Sequence, residues 1–255
     1  MKRSRGLIIL AFLVLLAGWL LMPAGGVPIL AYHRVNADAE RYSVSPEEFR
    51  EQMHYLKQHG YTAVSLAEMA DAFSGGAALP EKPVVITFDD GYEDNLLVAL
   101  PILESYGMKA TVFVISGSVG QPHYLTWEQL QYMQSRGVEI GSHTVSHADL
   151  SQVDTARQRQ EILQSKLSLE AGIGKPVQFL AYPFGQFNPS IFSLLQQAGY
   201  RGACTGLAGL NTAADPPYRW KRINVPRAKL GLWEFKLRLL RAELVDWRDS
   251  LLTKR

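Results

Sequence analysis

The chain has a single cysteine, Cys204, in 255 residues. A disulfide framework is therefore excluded, as is any zinc or iron-sulfur site built on several thiolates. Any metal must sit on His, Asp or Glu. A strong excess of one charge is also missing, since 26 Lys and Arg face 24 Asp and Glu. A general nucleic-acid-binding role then lacks its electrostatic basis. No G-x-x-x-x-G-K-S/T loop is present for a nucleotide phosphate, and no G-x-S-x-G elbow for a nucleophilic serine. Repeats of fixed period and low-complexity tracts are absent as well. What remains is 47% hydrophobic, 20% charged and 10% aromatic, the composition of an ordinary globular enzyme with one sizeable core.

Charge is more informative when it is split along the chain. Lys2, Arg3 and Arg5 precede a charge-free run over 7–23, the layout of an n-region followed by an h-region. Ala24 offers a small residue at a cleavage site, but Met22 is too large for a small-x-small pattern, which favours an uncleaved signal-anchor over 1–26. The cations on its short side put the N-terminus in the cytoplasm and the domain at the cell surface, held to the membrane by this segment. Residues 218–255 carry 11 bases and 4 acids, whereas 27–217 carry 12 bases and 20 acids.

From residue 27 onward, short β-type runs alternate with amphipathic helical stretches, the pattern of a parallel sheet with crossover helices. Strands are expected over 28–32, 62–65, 84–88, 110–114, 139–142, 179–182, 202–205 and 222–225. Helices are expected over 46–59, 66–73, 93–106, 127–136, 155–171 and 189–198. Ser45 with Glu48 reads as a capping box for the first helix. The order predicts one α/β domain over 27–230, a distorted (β/α) barrel of seven or eight strands. A last amphipathic, basic helix follows within 231–255. Its expected packing stripe is Trp233, Leu237, Leu240, Leu244 and Leu251, with Lys236, Arg238, Arg241 and Arg248 on the opposite face as a solvated surface or a contact for anionic lipid.

In such barrels the chemistry gathers at the carboxyl ends of the strands. Asp89 and Asp90 end the run over 84–88. Adjacent carboxylates at a strand end point in different directions, so one can bind a metal while the other faces a bound water as a base. His143 and His147 follow the strand over 139–142. If that segment winds into a helical turn, both rings share a face and reach one ion. Two imidazoles and one carboxylate make a three-ligand site with room for water and a substrate oxygen.

These segments, Thr87-Phe88-Asp89-Asp90-Gly91 and His143-Thr144-Val145-Ser146-His147, resemble the first two motifs of the NodB-homology polysaccharide deacetylases, carbohydrate esterase family 4. The third motif, usually Arg-x-Pro-Tyr, is matched by Ala181-Tyr182-Pro183-Phe184. With Ala31-Tyr32-His33-Arg34-Val35, the whole looks most like the branch that holds biofilm poly-N-acetylglucosamine deacetylases. The resemblance implies a metal-dependent hydrolase acting on N-acetylated polysaccharide, with Asp89 as base and Asp90, His143 and His147 as metal ligands. It also implies the backbone N–H of Phe184 as an oxyanion donor.

Two departures from the family need substitutes. Ala181 stands where an Arg would orient the base, and Arg222 is the candidate replacement. The C-terminal Leu-x-His motif is absent, because no histidine follows His147. His54 and His59 fall in a helix and His123 in a polar loop, which leaves His33, at the end of the first strand, as the general acid. Zinc is the expected ion, although cobalt, nickel or iron suit the same donors. A monomer is expected. The competing reading is a catalytically idle member of the same fold that binds glycan at the cell surface.

Overall fold

A computed structural model describes residues 25–252, and side chains as far as residue 242. The charge-free run over 7–23, and the side chains of Leu244, Arg248 and Leu251, lie outside the described residues. Among the described residues, no helix is long and apolar enough to cross a membrane.

All eight expected strands form, and they join one parallel sheet: β1 Ile29–Tyr32, β4 Thr62–Ala63, β5 Pro83–Phe88, β6 Thr111–Val114, β7 Glu139–Ser142, β8 Phe179–Ala181, β9 Gly202–Cys204 and β10 Ile223–Asn224. The order is β10-β1-β5-β6-β7-β8-β9, with β4 beside the start of β5. A small parallel pair that the sequence pattern did not signal, β2 Arg34–Val35 and β3 Ser43–Val44, folds the chain back after β1. The sheet curls into a distorted barrel. Its edges β9 and β10 meet without a ladder; the Cys204 to Trp220 bridge and the Arg222 N–H to Leu207 carbonyl bond, 2.7 Å, span the seam.

Alternation along the strands sorts the core into two layers. Ile29, Val85, Phe113, Phe179, Ala181 and Cys204 point inward around Trp220, while Leu30, Ile86, Val112 and Leu180 point outward to the helices. Gly141 is needed in β7 because a Cβ there would stand 2.5 Å from the Phe113 ring.

The helices are α1 Pro46–Gln58, α2 Leu66–Phe73, α3 Leu100–Tyr106, α4 Trp127–Ser135, α5 Thr155–Ile173, α6 Phe192–Gln197 and α7 Leu232–Leu252. The stretch expected as one helix over 93–106 begins as a π-turn, Asn95–Ala99, because Pro101 in the first turn of α3 has no N–H to give. Only half of the expected Ser45 capping box forms: Ser45 Oγ accepts from Glu48 N–H at 3.2 Å, but the Glu48 carboxylate turns to Gln52. Complete boxes occur instead at Ser65 with Glu68 and at Thr126 with Gln129.

The expected packing stripe of α7 is corrected by the structure. Trp233 and Leu237 are 69% and 54% exposed, whereas Phe235, Leu239 and Ala242 are buried. The stripe rotates because Phe235 meets Tyr55 of α1 edge-on at 6.1 Å, and Leu232, Phe235, Leu239 and Ala242 then share the inner face. On the basic face Arg238 is paired with Glu234, and Lys236 lies over the rings of Tyr55 and Trp233. Phe235→Ala should therefore cost about 3–5 kcal/mol of unfolding free energy, and Trp233→Ala less than about 1 kcal/mol. Urea titrations of the two variants check this; equal losses would restore the original stripe.

Candidate active site

β5 delivers both carboxylates. The Asp89 N–H still donates to the Tyr32 carbonyl at 2.9 Å, so this residue remains in register with the sheet. Asp90 and Gly91 then both take the left-handed conformation, with φ of 75° and 81°. This double turn sends the two side chains apart. Asp89 points to Arg222 and Asp90 to the histidines.

His143 and His147 do not lie on a helical turn. Residues 143–147 form an irregular loop in which Thr144 and His147 are left-handed, φ 67° and 59°, and this brings the rings to 4.8 Å between centroids. The His143 ring is buried, and its Nδ1 lies 2.8 Å from the Ala181 carbonyl. A carbonyl only accepts, so Nδ1 carries the proton and Nε2 keeps its lone pair. Position 181 thus orients a histidine through its backbone carbonyl.

Asp90 Oδ1 is buried with no hydrogen-bond partner, and stands 3.5 Å from His143 Nε2 and 3.6 Å from His147 Nε2. Ligand atoms about 2.0–2.1 Å from a tetrahedral ion lie roughly 3.3 Å from one another; Asp90 is near that distance from each ring, and all three ligand atoms lie within 4.8 Å of one another, a group that could hold one divalent cation. Electrostatics agree. Burial pushes the His143 imidazole down to about 4, with His147 adding to the effect, so the ring is neutral and free to ligate. Burial, and then the charge of Asp89, lift the Asp90 carboxyl to about 6.

Asp89 has the opposite balance. Burial alone would raise it, but the charge of Arg222, aided by His143 and His33, holds it well below the usual carboxylate range. The Arg222 guanidinium donates to both carboxylate oxygens, at 2.7 and 2.8 Å, and its Nε donates to the Thr205 carbonyl at 3.1 Å. His33 Nε2 lies 4.0 Å from Asp89 Oδ2 on the other side.

Phe184 is left-handed, φ 59°, and its ring is 65% exposed, edge-on to His147 at 4.6 Å. The turn carrying it presses on the chain after β9 so closely that a Cβ on Gly185 would reach Gly206 Cα at 2.4 Å. One pocket of about 220 Å³ is lined by His33, Asp89, Asp90, His143, His147, Phe184 and Arg222, together with Tyr42, Gly185, Gly206 and Asn224. Every candidate residue from the sequence faces it. Tyr42 was not among them; it stacks on the His33 ring at 4.7 Å and comes from the short β2–β3 fold-back, which has no periodic signal. His54, His59 and His123 are exposed and away from the pocket.

Comparison with known proteins gives one answer at every level. The family profile described as polysaccharide deacetylase matches residues 76–203. YxkH of Bacillus subtilis, whose name places it among the polysaccharide deacetylases, is 33% identical over 205 residues, 80% of this chain and 73% of that protein. The poly-beta-1,6-N-acetyl-D-glucosamine N-deacetylase of Escherichia coli (strain K12) is 34% identical over 141 residues, 48% of this chain but only 21% of the longer enzyme. Among solved structures, the Streptococcus pyogenes deacetylase PplD in complex with acetate superposes with a TM-score of 0.77 at 30% identity, covering 86% of this chain and 98% of that one. With a profile over half its length and a relative one-third identical over four-fifths of it, this chain belongs to the polysaccharide deacetylase family.

Proposed function

We propose that this chain removes N-acetyl groups from N-acetylglucosamine units of an extracellular polysaccharide. The observation that carries the reading is the convergence, in one pocket, of an Asp-His-His group spaced for a cation and a second carboxylate that Arg222 keeps ionised. A divalent ion held by Asp90, His143 and His147, zinc in this reading, supplies Lewis-acid polarisation of the amide carbonyl. Asp89 takes the proton of the attacking water, and the Phe184 N–H donates to the oxyanion that forms. His33, its ring held by Tyr42, protonates the leaving nitrogen as the C–N bond breaks. Acetate and a free amine result.

A polymer substrate is supported by a second cavity of about 260 Å³ that shares His33, Tyr42 and Asp90 with the first and continues past Arg34, Arg41 and Tyr92. The E. coli relative named for poly-N-acetylglucosamine favours that polymer over chitin-like or peptidoglycan chains. Lys2, Arg3 and Arg5 before the charge-free run over 7–23 support export of the domain and a membrane tether. Acetate release measured on the three polymers, with the ion quantified in the same preparation, tests the activity; bound ion without release from any of them would leave a glycan-binding role.

Variants separate the assigned parts. Asp90→Ala, His143→Ala and His147→Ala should each lose ion and acetate release together, while Asp89→Asn keeps the ion and loses release. Metal analysis of the four proteins decides this; ion loss confined to Asp89→Asn would exchange the two carboxylates. His33→Gln should fold, keep the ion and lose about two to four orders of magnitude in turnover, the usual effect of removing a positioned acid. Near-wild-type turnover in that variant assigns the proton to another donor.

The pH dependence of ion binding has a definite sign. A proton on Asp90 excludes the cation, and that carboxyl titrates at about 6 in the ion-free protein. Affinity should therefore be flat above pH 7 and fall as pH drops below about 6, with His143 adding a further loss only near pH 4. Calorimetric titration with zinc between pH 5 and 8 reads this directly; unchanged affinity across that range removes Asp90 from the ligand set.

A further inference from the structure

The loop that carries His143 and His147 has an unusual support. Two of its five residues, Thr144 and His147, are left-handed without being glycine, so the chain between the histidines does not hold this shape by itself. The support comes from α5. Glu161 is fully buried, and its Oε2 accepts the backbone N–H of both Val145 and Ser146, at 2.8 and 2.9 Å. Its Oε1 accepts the Ser146 hydroxyl at 2.6 Å and meets Arg157, also at 2.6 Å. One turn further along the helix, Ser165 Oγ lies 2.8 Å from Ser142 Oγ, which in turn accepts the Thr144 N–H at 3.3 Å. A single rigid helix therefore grips the loop at two points, one before each histidine.

A carboxylate is costly to bury, and a helix residue that only filled space would be apolar. Glu161 accepts three hydrogen bonds from the segment between the histidines and meets Arg157 with the same carboxylate. We propose that Glu161 is a positioning residue that presets the separation and orientation of His143 and His147 before the cation arrives. It touches neither substrate nor ion. Its effect passes through the two backbone N–H groups, which fix where the His147 ring leaves the loop. Arg157, half-exposed at the protein surface, balances its charge. The inference rests on the reading of Asp90, His143 and His147 as ion ligands.

The test is direct titration of the metal-free full chain with Co²⁺, followed by its visible absorption, in the wild type, Glu161→Ala and Glu161→Gln. Glu161→Ala should bind cobalt about 10–100-fold more weakly and with an altered absorption envelope, although all three ligands remain. Glu161→Gln retains one carbonyl acceptor for the two N–H groups and should recover part of the affinity. Phe235→Ala, a destabilised variant remote from the loop, should bind like the wild type, which separates positioning from general loss of stability. Wild-type affinity and spectrum in a folded Glu161→Gln or Glu161→Ala protein overturn the proposal. Failure of the wild type itself to bind cobalt instead overturns the ion reading on which it rests. If Glu161→Ala does not fold, the Gln variant and the Phe235→Ala control still decide.

Discussion

The buried pair of Asp89 and Arg222 is the interaction on which the rest of the site depends. Each side chain is only 4% exposed, and removing two charges from water costs several kcal/mol per ion unless every donor and acceptor is used. Here the guanidinium gives two hydrogen bonds to the carboxylate and one to the Thr205 carbonyl. Those three residues flank different strands: Asp89 follows β5 inside the sheet, Thr205 follows β9 at one edge, and Arg222 precedes β10 at the other. The pair therefore ties a barrel seam that no strand ladder closes. It also decides the roles of two adjacent acids. With Asp89 held ionised, its charge adds to burial in lifting Asp90. His33 Nε2 lies 4.0 Å from the Asp89 carboxylate.

Strain collects in the same place. Five non-glycine residues are left-handed among the described residues, and four of them, Asp90, Thr144, His147 and Phe184, lie in the pocket or in the loop that feeds it. Each costs of the order of 1–3 kcal/mol locally, so each must be held from outside. The holders are identifiable for most of them. The parallel sheet fixes the residues before Asp90, Glu161 and Ser165 grip the histidine loop, and the close approach of Gly185 to Gly206 seats the turn of Phe184. The barrel is in this sense a frame for four backbone conformations that an isolated peptide would rarely adopt.

Much of this was legible in the sequence, and what was not has a common cause. The strands read as short apolar runs between amphipathic stretches, so all eight were visible, and the strand-end rule put His33, Asp89, Asp90 and His143 on one rim. Ala181 in place of the family's Arg calls for another cation, and Arg222, just before the last strand, supplies it to Asp89. Periodicity did not show which polar residues are buried. Gln52, Gln158, Glu161 and Ser165 all sit on helices where a polar residue reads as solvent-facing, yet all four are buried. The same blindness misplaced the stripe of α7, where Trp233 and Leu237 have the right spacing and the wrong side.

Hydrophobic patterning records the energy of leaving water, which is why the layers of the barrel follow from it. It carries no record of a carboxylate buried because it accepts several specific hydrogen bonds. The catalytic rim is built from such groups. Asp89 with Arg222, His143 with the Ala181 carbonyl, and Glu161 with two consecutive N–H groups are each long-range pairs whose partners lie in different elements. The identity of a site can thus be read from its motifs while its rigidity cannot, because the rigidity resides in contacts that no local pattern encodes. A variant chosen from the motifs alone would test the motif residues and leave untested the contacts that hold them in place.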